Sequence, residues 1–461
     1  MNKGCCVCSR EDTFVSKESL CILHCDKNSW KVKGRWKVQY VEKFWKVMRE
    51  EYMPKQVGSF NFRYINFPPL QVPKMKETHS KHADFTLRMA TEDFSFWRKN
   101  DLISFNYRVD FSFANFNEGA LFEGVCFKEF VAQKMLTPLL EFTNSRIQKA
   151  HIKNTMIKKV FLSNVVSKSF VIDACTITNL ELINCKIDTI QSFASSIGSY
   201  TVNKLRSNRN EFLKTKIRQL TLQSSTISIL NIHVSEFHVF KMKEVRATAL
   251  HFEKSKVLKA DITRCRLESI KLLKTQVFNR FNCSEMNLSL LAIVNSRFSK
   301  DAQIIMHRLS VKKLYMHHVG DTTFNVDTLK VSESLHLHNI NIEWRKVIKC
   351  DFSASCMNFK LLQGSIQEPI QISWGNISKE RLDSDTLSVK LWQAYYRQHN
   401  NILLAQKFLH IYEVQRKFET KSYQERFKSI IEIEIDAPLK KGVKKTLGFI
   451  KEFSYRRLHT A

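Results

Sequence analysis

Two residues separate Cys5 from Cys8 in Cys5-Cys-Val-Cys8, two more separate Cys21 from His24 in Cys21-Ile-Leu-His-Cys25, and twelve lie between the pairs. Tetrahedral zinc needs four soft or borderline donors on two short turns, and this spacing supplies them. All four places would be filled by protein, leaving none for water, so the metal expected is structural rather than catalytic. Cys25 is the alternative to His24 as fourth ligand, and Cys6 the alternative to its neighbours. Reduced cysteines without metal are the plainer reading. At the other end, Lys440, Lys441, Lys444, Lys445, Lys451, Arg456 and Arg457 stand against Glu452 alone, with Val443, Leu447, Phe449, Ile450 and Phe453 between them. Such a segment suits an acidic membrane surface or nucleic acid. A solvated tail is the alternative.

The whole chain leans the same way. Its 461 residues hold 73 Lys and Arg against 44 Asp and Glu, a formal charge of +29 that favours anionic partners. Glycine and proline number only 11 and 7, which disfavours loop-rich sheets and enzymes built on glycine-rich phosphate loops. No paired-carboxylate or Ser-His-Asp pattern can be singled out, and no enzyme activity is expected. There is no run of eighteen apolar residues and no apolar signal core at the start, so neither a membrane span nor secretion is expected and the default location is cytoplasmic.

Something must hold these residues in place, and the sequence writes it as a repeat. Phe111, Phe116, Phe122 and Phe127 fall in steps of five and six, which neither a helix nor a strand explains. From Phe142 to Val277 every fifth residue is apolar except Ser167, Ser192 and Ser207. The residue two before each centre alternates between large (Leu140, Val160, Phe170, Leu180) and small (Ser145, Thr155, Cys175, Cys185), so the unit is two pentads. A chain that points inward once per five residues, and again two residues earlier, turns a corner every five. Four corners make a coil of twenty, and coils stacked about 4.8 Å apart hydrogen-bond to one another. One ladder, Ile157, Ile177, Ile197, Ile217, Phe237, Val257 and Val277, is apolar throughout. Leu180-Glu-Leu-Ile-Asn-Cys-Lys-Ile187 suggests a leucine-rich repeat, but a strict five-residue step counts against units of 20 to 29 residues.

In Ala83-Asp-Phe85, Val109-Asp-Phe111 and Ala114-Asn-Phe116 the chain resembles the pentapeptide-repeat family, and the resemblance continues in degenerate form to about Val277. It implies a right-handed quadrilateral β-helix that works as a non-enzymatic binding scaffold. Many units lack the family's small residue or its Asp or Asn. Some members imitate DNA through an acidic surface, which a charge of +29 argues against here. The Cys/His segment resembles a short module, followed by a Phe-Trp helix, that opens some bacterial members; that helix would carry Phe44 and Trp45. Tyr396-Arg-Gln398 with Ala405, Phe408, Glu413 and Arg416 resembles their helical tail.

The expected organisation is a zinc-binding module with a capping helix over 1–58, a β-solenoid over 59–380, and a helical region with a basic tail over 381–461. The best solenoid register covers 109–277 and is irregular after 278. Val38, Val41, Phe44, Trp45, Met48 and Tyr52 place one apolar face on the capping helix, which should dock on the first coil. Leu391, Tyr395, Leu403, Leu404, Phe408, Ile411, Tyr412 and Val414 mark apolar stripes in the tail helices. His318 and His338 lie one twenty-residue coil apart and are a candidate pair, with surface histidines as the alternative. The expected partner is an unknown protein or nucleic acid, anionic favoured. Two alternatives stand beside it: a protein-interaction or membrane-surface scaffold whose C-terminal tail makes the peripheral contact, and a nucleic-acid-binding regulator.

Overall fold

The computed structural model describes residues 21–68 and 102–366 apart from short breaks, isolated strands at 85–87, 98–99, 372–373 and 382–384, and parts of 389–416. The chain divides into two compact units, Met1–Ser388 and Val389–Ala461. Cysteines 5, 6 and 8, and all seven basic residues from Lys440 to Arg457, lie outside the described residues.

The first unit is a parallel β-solenoid. Met156–Ser163 pairs with Thr176–Ile183, which pairs with Ser196–Asn203, which pairs with Lys216–Gln223, each residue facing the one twenty positions on. The ladder of Ile157, Ile177, Ile197, Ile217, Phe237, Val257 and Val277 is continuous, and every member is buried. Burying an isoleucine fully is worth about 1.5–3 kcal/mol, so columns of this kind supply the main driving force of the fold.

Local sequence explains how the coil turns. In Thr176–Ile183 the residues Ile177, Leu180 and Leu182 are buried, whereas Thr178 and Asn179 are both exposed. Flat strands alternate strictly, so two outward residues in succession mark a bend inside the strand. The second corner falls at every tenth residue from Lys134 to Lys274, where φ lies between +46° and +57°. Glycine normally takes this conformation, but here the corners are held by Asn144, Asn154, Asn164 and Asn184, by Ala174, and by lysines. Asparagine tolerates it best among side-chain-bearing residues, and Asn164 and Asn184 also donate side-chain hydrogen bonds one coil back, to Asn144 and Asn164, at 3.0 and 2.7 Å.

The residue after each such corner is buried, and its chemistry accounts for the small half of the alternation. Ser235 accepts from the Thr215 amide at 3.1 Å and donates to the carbonyls of Phe212 and His233 at 3.2 and 2.9 Å. Ser145, Ser195 and Ser255 repeat the pattern, Thr275 repeats its donating half, and Cys175 and Cys185 approximate that half through sulfur. The corner turns the backbone away from regular pairing, and a short hydroxyl satisfies what the turn leaves open. The serines that interrupt the centres are satisfied too: Ser207 bonds Asn210 at 2.7 Å, Ser192 accepts from Thr215 at 3.2 Å and Ser167 donates to the Ser169 carbonyl at 3.1 Å. Cys175, Cys185, Cys265 and Cys283 are buried fillers, and burial raises the thiol of Cys265 to about 11.

The strict register begins at Ala120, which faces Leu140; Val109 lies just before it, facing Phe130 at a spacing of twenty-one. It ends at Val277. A bulge beyond Val257 shifts the pairing so that Lys259 faces Arg280; Phe281 then faces Ile304 and Ser334 faces Cys356, spacings of twenty-one, twenty-three and twenty-two. The slip expected after residue 278 is therefore a lengthening of the coil rather than a loss of it, and parallel pairing persists to Leu382–Ser384. Leu337 faces Phe359, again at a spacing of twenty-two.

At the start of the solenoid, α1 (Val38–Val47) continues as a wider turn through Tyr52. It buries Val41, Phe44 and Trp45; Phe44 and Trp45 meet the ring of Phe67 at 6.0 and 6.3 Å, and Tyr52 meets Phe62 at 6.4 Å. The helix thus covers aromatic residues of the first coil with its apolar face, except for Val38, which was expected on that face but stands at the first helical residue and is 47% exposed. In the second unit α2 (Ile402–Arg416) buries Ala405, Phe408 and Ile411, with Phe408 stacked on Tyr396 at 5.6 Å. Leu403, expected on a buried stripe, is 75% exposed: the buried residues recur at three-residue steps, which turn Leu403 outward. Leu391 and Tyr395 lie outside the described residues, as do the side chains of Tyr412 and Val414.

Candidate functional site: a thiol-histidine turn and an outward cation column

Cys21–Cys25 forms a tight turn in which the amides of His24 and Cys25 donate to the Cys21 carbonyl at 3.1 and 3.0 Å. The turn carries Cys21 Sγ to 3.2 Å from His24 Nδ1, and all three candidate ligands within it are buried. Asn66, from the first coil, donates its amide to the carbonyls of His24 and Cys25 at 2.9 and 3.1 Å. Beneath the turn, Lys27 Nζ donates to the carbonyls of Cys25 and Ile22 at 2.7 and 2.8 Å and lies 4.6 Å from the Trp30 ring. Burial lowers this ammonium to about 8, the neighbouring Cys25 opposing the shift.

These contacts bear on the choice of fourth ligand. Cys25 Sγ is 3.4 Å from the ammonium of Lys27 and donates to the Ile22 carbonyl, whereas Cys21 and His24 face one another. Two ligands of a tetrahedral zinc ion, one sulfur and one nitrogen, stand roughly 3.5 Å apart. The Cys21–His24 separation fits that within a few tenths of an ångström, so the donor pair suits zinc. Among the described residues there is no group of three or more His, Cys, Asp or Glu able to hold a metal.

Tyr315 stacks on His336 at 4.5 Å and its hydroxyl meets Ser334 Oγ at 3.1 Å. The strand registers on either side of this stretch run at twenty-three and twenty-two residues, longer than the twenty invoked for His318 and His338. The side chains of those two histidines lie outside the described residues.

The formal charge of +29 points to anionic partners but does not show where along the coils the cations gather. Arg146, Val166, Lys186, Arg206, Thr226, Arg246 and Arg266 face one another in successive coils, so five cations share one outward column. All five are exposed, and none takes part in an ion pair among the described residues. The equivalent column half a coil away is different: Lys216 and Lys256 flank Glu236 at 3.7 and 3.4 Å. Reading every twentieth residue from Arg146 would have found the cation column. At its far end Arg246 and Arg266 line an open groove with Thr226, Thr248 and Glu268.

Comparison with known proteins finds no family model, no curated protein and no solved structure that matches the chain.

Proposed function

We propose that this chain is a non-enzymatic scaffold of the pentapeptide-repeat type, a right-handed four-sided β-helix that engages an anionic partner through its basic surface. The observation that carries the reading is the unpaired cation column on a solenoid whose interior is filled by apolar side chains and satisfied hydroxyls. The bend inside each strand and the positive-φ corner support four sides, since each coil contains two of each. A closed structural zinc site at Cys5, Cys8, Cys21 and His24 belongs to the same reading. When bound, the metal would tie the N-terminal segment to the turn that Asn66 fastens to the first coil.

Among the described residues no helix is long and apolar enough to cross a membrane. The working location is the cytoplasm of a bacterial cell, where thiols stay reduced. Affinity purification of the full chain from its native cell, with and without nuclease, tests the reading. An anionic partner should co-purify and dissociate in high salt. Recovery of neutral or basic partners alone would refute it.

A further inference from the structure

Resting on the scaffold reading, we infer that the outward column of Arg146, Lys186, Arg206, Arg246 and Arg266 is a docking strip for the phosphate backbone of double-stranded nucleic acid. Coils stack about 4.8 Å apart, so the six steps from Arg146 to Arg266 span about 29 Å, most of the roughly 34 Å turn of a duplex. Lys186 directly faces Arg206, and Arg246 directly faces Arg266. Like charges opposed on a sheet destabilise it, and here no acid within the column relieves them, unlike the half-coil partner with Glu236. A cost of that kind, relieved by no ion pair to any of the five among the described residues, is what a binding site leaves in a folded chain.

The flanking columns complete the surface. Lys168, Lys204 and Arg264 add positive charge; Asp188, Glu244, Glu268 and Glu285 oppose it, and Glu285 is engaged by Arg264 at 2.8 Å. The face therefore stays net positive. Neither the column nor its flanks, from Asn144 to Asn287, carries an aromatic side chain. Single-stranded nucleic acid is held mainly by stacking on aromatic platforms, whereas contact with duplex phosphates needs only cations in a row. Recognition would be independent of base sequence and strongly salt-dependent.

The test is fluorescence anisotropy of the full chain with a labelled thirty-base-pair duplex from low to physiological salt. Five phosphate contacts predict a log–log salt slope of about −4 to −5. The triple variant Lys186→Gln/Arg206→Gln/Arg246→Gln should flatten the slope by about 3 and weaken binding at least about tenfold. Lys134→Gln/Lys214→Gln/Lys274→Gln removes the same charge from exposed corners and should change little. All six positions are exposed, and matched thermal melts verify folding. Equal losses in both variants, tighter binding of a single strand, or loss only on deleting residues 440–457 would each overturn the assignment. Binding to phosphatidylserine vesicles or polyglutamate but not to duplex would overturn it while leaving the anionic-partner reading standing. Binding to none of these probes would overturn both.

Discussion

Removing whole coils should be tolerated where removing nearly whole coils is not. Deleting residues 186–205 joins Cys185 to Arg206 and takes out one twenty-residue turn. Ile177, Leu180 and Leu182, which face Ile197, Tyr200 and Val202, would then face Ile217, Leu220 and Leu222, all buried apolar residues. The loss should be about 1–3 kcal/mol, the share of twenty residues in an ordinary stability of 0.05–0.15 kcal/mol per residue. Deleting one residue fewer, 186–204, sets Arg206, Arg209, Glu211 and Lys214 in the inward places of Ile187, Ile190, Ser192 and Ser195. Each buried charge without a partner costs about 3–5 kcal/mol, so even with Arg209 and Glu211 paired the sum approaches the whole stability of a domain. Far-UV circular dichroism and urea unfolding of the two variants decide the matter. The twenty-residue deletion should keep a cooperative β-type transition and the nineteen-residue deletion should lose it. Equal behaviour of the two would refute the stacked-coil account of the core.

Four further outcomes follow from particular residues. Ser235→Ala leaves the Thr215 amide without its acceptor and should cost about 1–3 kcal/mol in urea unfolding, with Ser235→Cys milder. Val234 is β-branched yet holds φ +50°; Val234→Asn should raise the melting midpoint by the equivalent of about 0.5–1 kcal/mol. Burial, reinforced by Lys271, depresses His251 to about 4, while Glu253 opposes the shift. Between pH 4 and the ordinary histidine value near 6.5 the unfolded chain binds the extra proton, so stability should fall as pH drops through that window, by up to roughly 3 kcal/mol. Unfolding of His251→Gln should lack this component. Elemental analysis of the native protein should find one zinc per chain, lost in Cys5→Ser/Cys8→Ser and in Cys21→Ser; metal-free native protein would withdraw the zinc site.

The inward columns were legible because they depend on side-chain type alone: a five-residue apolar step leaves few ways to hide Ile157, Ile177 and Ile197 together. The corners were not. Scarce glycine argued against ordinary loops, yet Asn144, Lys134 and Ala174 adopt the conformation glycine usually supplies, because neighbouring coils hold the backbone there. Smallness at Ser235 and Cys185 was visible, but the reason, hydrogen bonding to backbone groups twenty and twenty-three residues back, needed the coil-to-coil geometry. The capping helix was legible from its apolar spacing. Leu403 was misassigned because leucines at consecutive positions fit two helical stripes, and only packing chooses between them. The cation column was hidden for a different reason: its members recur at twenty residues, not five, and two neutral residues interrupt them.

Through the regular region every strand finds its partner twenty residues earlier in the chain, never at a distance. A polypeptide leaving the ribosome therefore needs nothing still unsynthesised to settle its newest turn: each completed winding offers the next an edge to grow upon. Assembly can keep pace with translation, and a stalled or truncated product would carry a finished body with one raw end.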